Sequence, residues 1–200
     1  MIVAASLLAA CTSVRETLPE RTATEQLLIS AAADRAIEHL DLGIAAGTKV
    51  ALQAYNFDAY DEGYVLGALR DRLLREGIHL VDQQAAPDLI LEVRAGALSI
   101  DKRSDLLGIP SFTLPIPLAG PFQTPEIALF KRERQEGIAK LAVTSFDPEN
   151  GALHSSSGPT YGSSTHDRWV VLIFGWTDED IGREESGVKP EQPKPQDRGQ

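Results

Sequence analysis

The sequence predicts an α+β fold, an α/β sandwich in which two helices pack on a mainly antiparallel mixed sheet. Three observations predict it. Thr22 and Glu25 stand at the spacing of a capping box, and behind them Leu28, Ile29, Ala32, Ala33, Ala36, Ile37 and Leu40 recur at helical period. A second set of that period, Val65, Leu66, Leu69, Leu73 and Leu74, closes at Gly77. After it the chain alternates with period 2 and is punctuated by turn residues, which describes strands only.

Taken in order, the first helix presents a stripe of small residues suited to lying close on a sheet, and Gly43 is expected as its left-handed C-cap. Residues 48–55 set Val50, Leu52 and Ala54 against Lys49, Ala51 and Gln53, which describes a half-buried strand. Asp58 or Asp61 is expected to cap the second helix, with Tyr55, Phe57, Tyr60 and Tyr64 as core and cover around its start. Residues 78–81 form a short strand, and residues 88–100 a long one with Leu89, Leu91, Val93, Ala95 and Ala97 on one face.

Residues 106–125 differ in kind, with no charged group, five prolines and a run of large apolar side chains. Proline at that density forbids a helix or a central strand and favours an extended arm. Two readings stand for it. Either the arm wraps the domain and buries its apolar groups, or Ile109, Phe112, Leu114, Ile116, Leu118 and Phe122 form a contact surface for a partner, a subunit or the membrane.

Strands are then expected over residues 127–133 and 138–146, joined by a turn at Gln135-Glu136-Gly137. Asp147-Pro148-Glu149-Asn150-Gly151 is a strong turn signal leading to a strand at residues 152–156. Residues 157–165, rich in Gly, Ser and Thr, read as a loop, and the nearly continuous apolar run 168–176 reads as a central strand.

The start of the chain carries an address. An apolar run from Ile2 to Leu8, two alanines and then Cys11, the only cysteine, form the pattern of a lipoprotein signal peptide cleaved before an acylated cysteine. The usual positively charged opening is missing, since the first basic residue is Arg15; the alternative is a short buried helix with an ordinary core cysteine in a cytosolic protein. The expected organisation is a signal peptide at residues 1–10, a tether at 11–21, a single periplasmic α/β domain at 22–182 and a disordered tail at 183–200. Thr12 stands where an inner-membrane retention signal would place Asp, which favours the periplasmic face of the outer membrane.

Chemistry is sparse. A formal charge of −10 and a pI near 4.8 argue against a nucleic-acid partner, which needs clustered cations. His39, His79, His154 and His166 lack metal-ligand spacing, and no cofactor is expected. Asp58, Asp61 and Glu62 lack the spaced ligands of a calcium loop, so helix capping accounts for them better. Ser163, Ser164, His166 and Asp167 invite comparison with a hydrolytic triad, but adjacent residues rarely converge in that geometry, and polar residues before a strand are the simpler account.

The tether, the helix–strand–helix order, Leu-Arg-Asp-Arg-Leu-Leu-Arg-Glu-Gly at 69–77 and Ala-Pro-Asp-Leu-Ile-Leu-Glu-Val at 86–93 resemble envelope lipoproteins of the curli-secretion CsgG and TolB N-terminal type. The later part, Asp147 to Gly151 and Trp169 to Trp176, resembles an uncharacterised lipoprotein family known by a domain-of-unknown-function name. The resemblance implies envelope assembly without catalysis, with the proline-rich arm standing where a curli-type pore has long amphipathic hairpins. The expected function is therefore a lipid-anchored, non-catalytic binding or envelope-assembly module with an envelope protein partner or self-association; the alternatives are an oligomeric secretion or transport component and a hydrolase.

Overall fold

The computed structural model describes residues 21–181, apart from residues 56, 58, 60 and 117–119. Cys11, the expected signal peptide and tether up to residue 20, Asp58, Tyr60, Leu118 and the expected tail lie outside the described residues. The order is α1 (Ala23–Glu38), β1 (Lys49–Gln53), α2 (Glu62–Arg75), β2 (His79–Leu80), β3 (Leu89–Ile109), β4 (Thr113–Ile116), β5 (Gly120–Gln123), β6 (Ile127–Phe146), β7 (Leu153–Val171) and β8 (Phe174–Glu179). Six strands form one mixed sheet in the order β2-β1-β3-β6-β7-β8, and β4 and β5 pair separately. The β1–β2 and β1–β3 pairings are parallel; the rest are antiparallel. This is the predicted α+β fold.

Both helices lie on one face of the sheet. The core joins Ala32, Ala33, Ala36 and Ile37 of α1 and Val65, Leu69 and Leu73 of α2 to Leu89, Leu91 and Val93 of β3 and Ala139, Leu141 and Val143 of β6. These strand positions alternate, so they share one face. The capping box forms: Thr22 Oγ1 accepts Glu25 N–H at 3.3 Å, and Glu25 Oε2 accepts Thr22 N–H at 2.8 Å.

The small-residue stripe of α1 lets its backbone approach β6 and β7 so closely that only glycine fits beneath it. A Cβ on Gly137 would lie 2.5 Å from the Leu28 carbonyl oxygen, and one on Gly162 only 1.9 Å from that of Ala32. Hydroxyls of β7 use the same proximity. Ser164 Oγ donates to Leu28 O at 2.6 Å, Thr160 Oγ1 to Ala36 O at 2.9 Å and Ser155 Oγ to Leu42 O at 2.7 Å.

Gly43 is not the cap of α1. It has φ +59° but lies well past the helix end, where a Cβ would crowd Ser155; His39 takes the C-cap position. The last carbonyls are satisfied across the helix pair instead, by the Arg72 guanidinium on Ile37 O and, at 2.7 Å, Leu40 O. Gly77 closes α2 as predicted, with φ +79° and Ile78 N–H bonded to Leu73 O at 3.0 Å. Asp61 stands at the N-cap of α2 without a capping hydrogen bond, its carboxylate held by Arg21 at 3.4 Å.

Four strand expectations are corrected. β3 continues to Ile109 and takes in the start of the supposed arm, and a bulge between Ala95 and Ala97 shifts its phase so that Leu98 packs on the core. Gln135-Glu136-Gly137 is no turn, because β6 runs through it unbroken. Residues 157–165 are no loop but the middle of β7, in which Thr160, Gly162 and Ser164 face the helix backbone. Residues 168–176 are not one central strand: the chain reverses at Leu172, φ +56°, and β8 returns along the sheet edge. The turn at Asp147 to Gly151 forms as predicted, with Asp147 Oδ1 accepting Glu149 N–H at 2.7 Å.

Candidate functional site

The helix layer covers only part of the sheet. Glu25 in the first turn of α1 pairs with Lys102 of β3, and its carboxyl lies below the usual range chiefly because of the hydrogen bond from Lys102. Beyond that level β3, β6, β7 and β8 run on as an arm. From Lys102 to Ile109 the arm extends about 23 Å at ~3.3 Å per residue. The β4–β5 pair, with Pro115 opposite Pro121, follows β3 as a separate two-stranded sheet; a two-stranded ribbon has free edges on which missing N–H donors cost no ladder bond.

The arm ends in a cap of exposed apolar side chains. Leu107 is 65%, Phe112 50%, Phe122 52%, Phe174 69% and Ile173 87% exposed. Ile109, Leu114, Ile127, Leu129, Leu172 and Trp176 are exposed as well. The arm therefore projects, and the reading in which it wraps the domain and buries these groups is overturned. The physical reason is register: Leu106, Leu107 and Ile109 are held in the β3–β6 ladder, which carries them away from the core.

Cap and charge meet at one level. Asp105, Arg132, Trp169 and Trp176 lie opposite one another across the four strands, as do Ser104, Glu133, Arg168 and Thr177 one residue nearer the helices. Trp169 stacks on Trp176 with ring centroids 6.1 Å apart and planes 6° from parallel, and Phe130 meets Trp169 edge-on at 5.9 Å. The Arg132 guanidinium lies 4.4 Å over the Trp169 ring and donates to Asp167 Oδ2 at 2.9 Å. Arg134 adds a longer ion pair to Asp167 at 3.8 Å. On the helix-side face Lys131 bonds Glu126 and Glu133, each at 2.9 Å, which raises its pKa and lowers that of Glu133.

Of the residues singled out from the sequence, Ile109, Phe112, Leu114 and Phe122 are all exposed, Ile109 at the end of the β3–β6 ladder and Leu114 opposite Phe122 in the β4–β5 pair. Ile116 ends β4, and Leu118 lies outside the described residues. Sequence reasoning missed the other half, Leu172, Ile173, Phe174 and Trp176. The signal was present: residues 169–176 carry no charge, but an uncharged strand reads as buried.

The residues of the supposed triad are engaged elsewhere. Ser164 bonds the α1 backbone, His166 Nδ1 lies 2.7 Å from Glu179 Oε2, and Asp167 pairs with Arg132. Ser163, one residue out of phase with Ser164 and His166, faces the other side of the sheet. Among the described residues no group of His, Cys, Asp and Glu could hold a metal ion, and no helix is long and apolar enough to cross a membrane. An open groove between α1 and α2 contains Tyr64, whose hydroxyl donates to Asp34 at 2.8 Å; burial and that bond push its pKa up to about 12.

No curated protein matches the chain. A family match bears out the likeness to a domain of unknown function and bears on neither a lipid anchor nor the likeness to CsgG and TolB. Residues 6–181 match the Family of unknown function (DUF6655), and the chain belongs to that family.

Proposed function

We propose that this protein is a non-catalytic binding or assembly module of the cell envelope, anchored by lipid at Cys11 to the periplasmic face of the outer membrane, and that the cap of its β-arm is the surface through which it docks. The exposed cap carries the reading. Apolar patches beyond a few hundred Å² rarely remain open on a chain that works alone, and Trp, Phe and Arg are the side chains that anchor interfaces. The engagement of Ser164, His166 and Asp167 in packing and ion pairs favours a binding role over hydrolysis.

A second reading, a subunit of an oligomeric secretion or transport component, draws on the sheet edges. Among the described residues no strand pairs with the outer edge of β3 beyond Glu92, nor with that of β8, and open edges invite pairing with another chain.

Photo-cross-linking in the producing cells tests the proposal. A cross-linking residue at Ile173 is expected to give an adduct, and one at Tyr161, exposed but far from the cap, none. Equal labelling at both positions, or labelling at neither, would refute the docking role. An adduct of twice the chain mass would instead favour the oligomer.

A further inference from the structure

We propose that the cap of the β-arm seats in the headgroup–acyl boundary of a phospholipid membrane, so that the protein touches the bilayer through its strands as well as through acylation at Cys11. The inference rests on the envelope reading above and names the occupant of the same surface. Four observations support it.

The cap is apolar on both faces of the sheet. Leu129 and Leu172 are exposed on the helix-side face, Leu107 and Phe174 on the other. A protein partner covers one face of a sheet, whereas a lipid surface surrounds whatever enters it.

The change from apolar to charged falls at nearly the same level on every strand of the arm. Toward the tip, the last charged residues are Asp105 on β3, Lys131 on β6, Arg168 on β7 and Asp178 on β8, all within three residue steps, or about 10 Å, along the strands. Glu126 is the one charge beyond that level, and Lys131 neutralises it. A planar transition of this kind matches a planar medium.

Trp169 and Trp176 stand at the transition, stacked on each other, with Arg132 over Trp169. Indole rings with a cation alongside concentrate at the membrane–water interface, where one side of the ring is apolar and the other wet.

The chain enters the fold at the arm end of the helix layer, since Glu25 pairs with Lys102. The ten residues between Cys11 and Thr22 can span up to about 35 Å, more than the ~10 Å from that level to Asp105 and the tryptophans, so an acyl anchor can reach the plane of the transition. The free backbone edges of β4 and β5 restrict the cap to the interface, because unpaired N–H and C=O groups do not enter the hydrocarbon core.

The chain's two tryptophans are both at the transition, which makes their emission a local probe. The acylated full-length protein, placed in phosphatidylcholine vesicles with brominated acyl chains, is expected to lose about half of its tryptophan emission relative to unbrominated vesicles, as indoles at the interface lie within reach of the chains. The loss should persist at high salt, because the contact is apolar and the chain is acidic. The Ile173→Ser/Phe112→Ser variant should float with the same vesicles and lose markedly less emission. Unchanged emission from wild-type protein that floats with the vesicles would overturn the lipid seat and leave the docking role standing. Protein recovered from cells without acylation at Cys11 would instead overturn the envelope reading itself.

Discussion

Replacing Gly162 by alanine is expected to lower the melting temperature by roughly 10 °C, from a loss of about 3 kcal/mol at the ~2–4 °C per kcal/mol usual for domains of this size. The added Cβ would meet the Ala32 carbonyl oxygen at 1.9 Å and the Ala36 nitrogen at 2.6 Å. Both are helix backbone, so no side chain can swing aside and α1 must lift. Lifting it also stretches the bonds from Ser164 to Leu28 O and from Thr160 to Ala36 O, each contributing about 1 kcal/mol. Gly137→Ala crowds the same helix one strand away, and the double variant should lose less than the sum, because one displacement relieves both clashes. Gly158→Ala is the control. A Cβ there would meet no atom within 4 Å, and a thermal melt should show little change. Equal stability of Gly162→Ala and wild type would mean that α1 does not rest on β7 as described.

Arg72→Met should cost about 2–3 kcal/mol, read from chemical denaturation, although Arg72 is a charged residue on an amphipathic helix that pattern alone would call replaceable. Its guanidinium bonds the carbonyls of Ile37 and Leu40 at the C-terminal end of α1 and its Nε bonds Glu76 at 2.8 Å. Ile37 O keeps a backbone donor from Leu40 N–H at 3.1 Å, so the loss falls mainly on Leu40 O and on the favourable placing of a cation at a helix C-terminus. Arg72→Lys should recover only part, since a single ammonium cannot fork between two carbonyls as a guanidinium does. Glu76→Ala should be nearly silent, because an exposed i,i+4 pair contributes only about 0.3–0.5 kcal/mol.

The helices were legible because their signals are local. The Thr22–Glu25 box, the alanine stripe and Gly77 each act within a turn or two of chain, and each forms as expected. The long strands were not legible, because the reason for their composition lies across the fold. Gly137 and Gly162 look like breakers until a helix backbone is seen resting on them, and the Ser and Thr residues of β7 look like a loop until their hydroxyls are seen bonding α1 carbonyls. The C-cap of α1 was invisible for the same reason, as Arg72 lies 32 residues from Leu40.

Half of the candidate site was legible. The uncharged, proline-rich stretch 106–125 stood out by composition, and its Leu107, Ile109, Phe112, Leu114 and Phe122 are exposed. The half from Trp169 to Trp176 was hidden because apolar side chains in a strand predict burial, and exposure on a projecting arm breaks that rule. The turn that separates its two strands places Leu172, not a glycine, at φ +56°, so no turn residue announced it.

That the cap is a contact surface and no part of the packed fold is tested most directly by the melting temperature of the Phe112→Ser/Phe122→Ser/Ile173→Ser variant. Exposed side chains away from packing contribute within about 0.5 kcal/mol each, so the variant should melt within a few degrees of wild type while the quenching of its tryptophans by brominated lipid falls. A melting temperature lowered by roughly 10 °C or more would mean about 3 kcal/mol of packing at these positions, and would contradict the proposed docking surface.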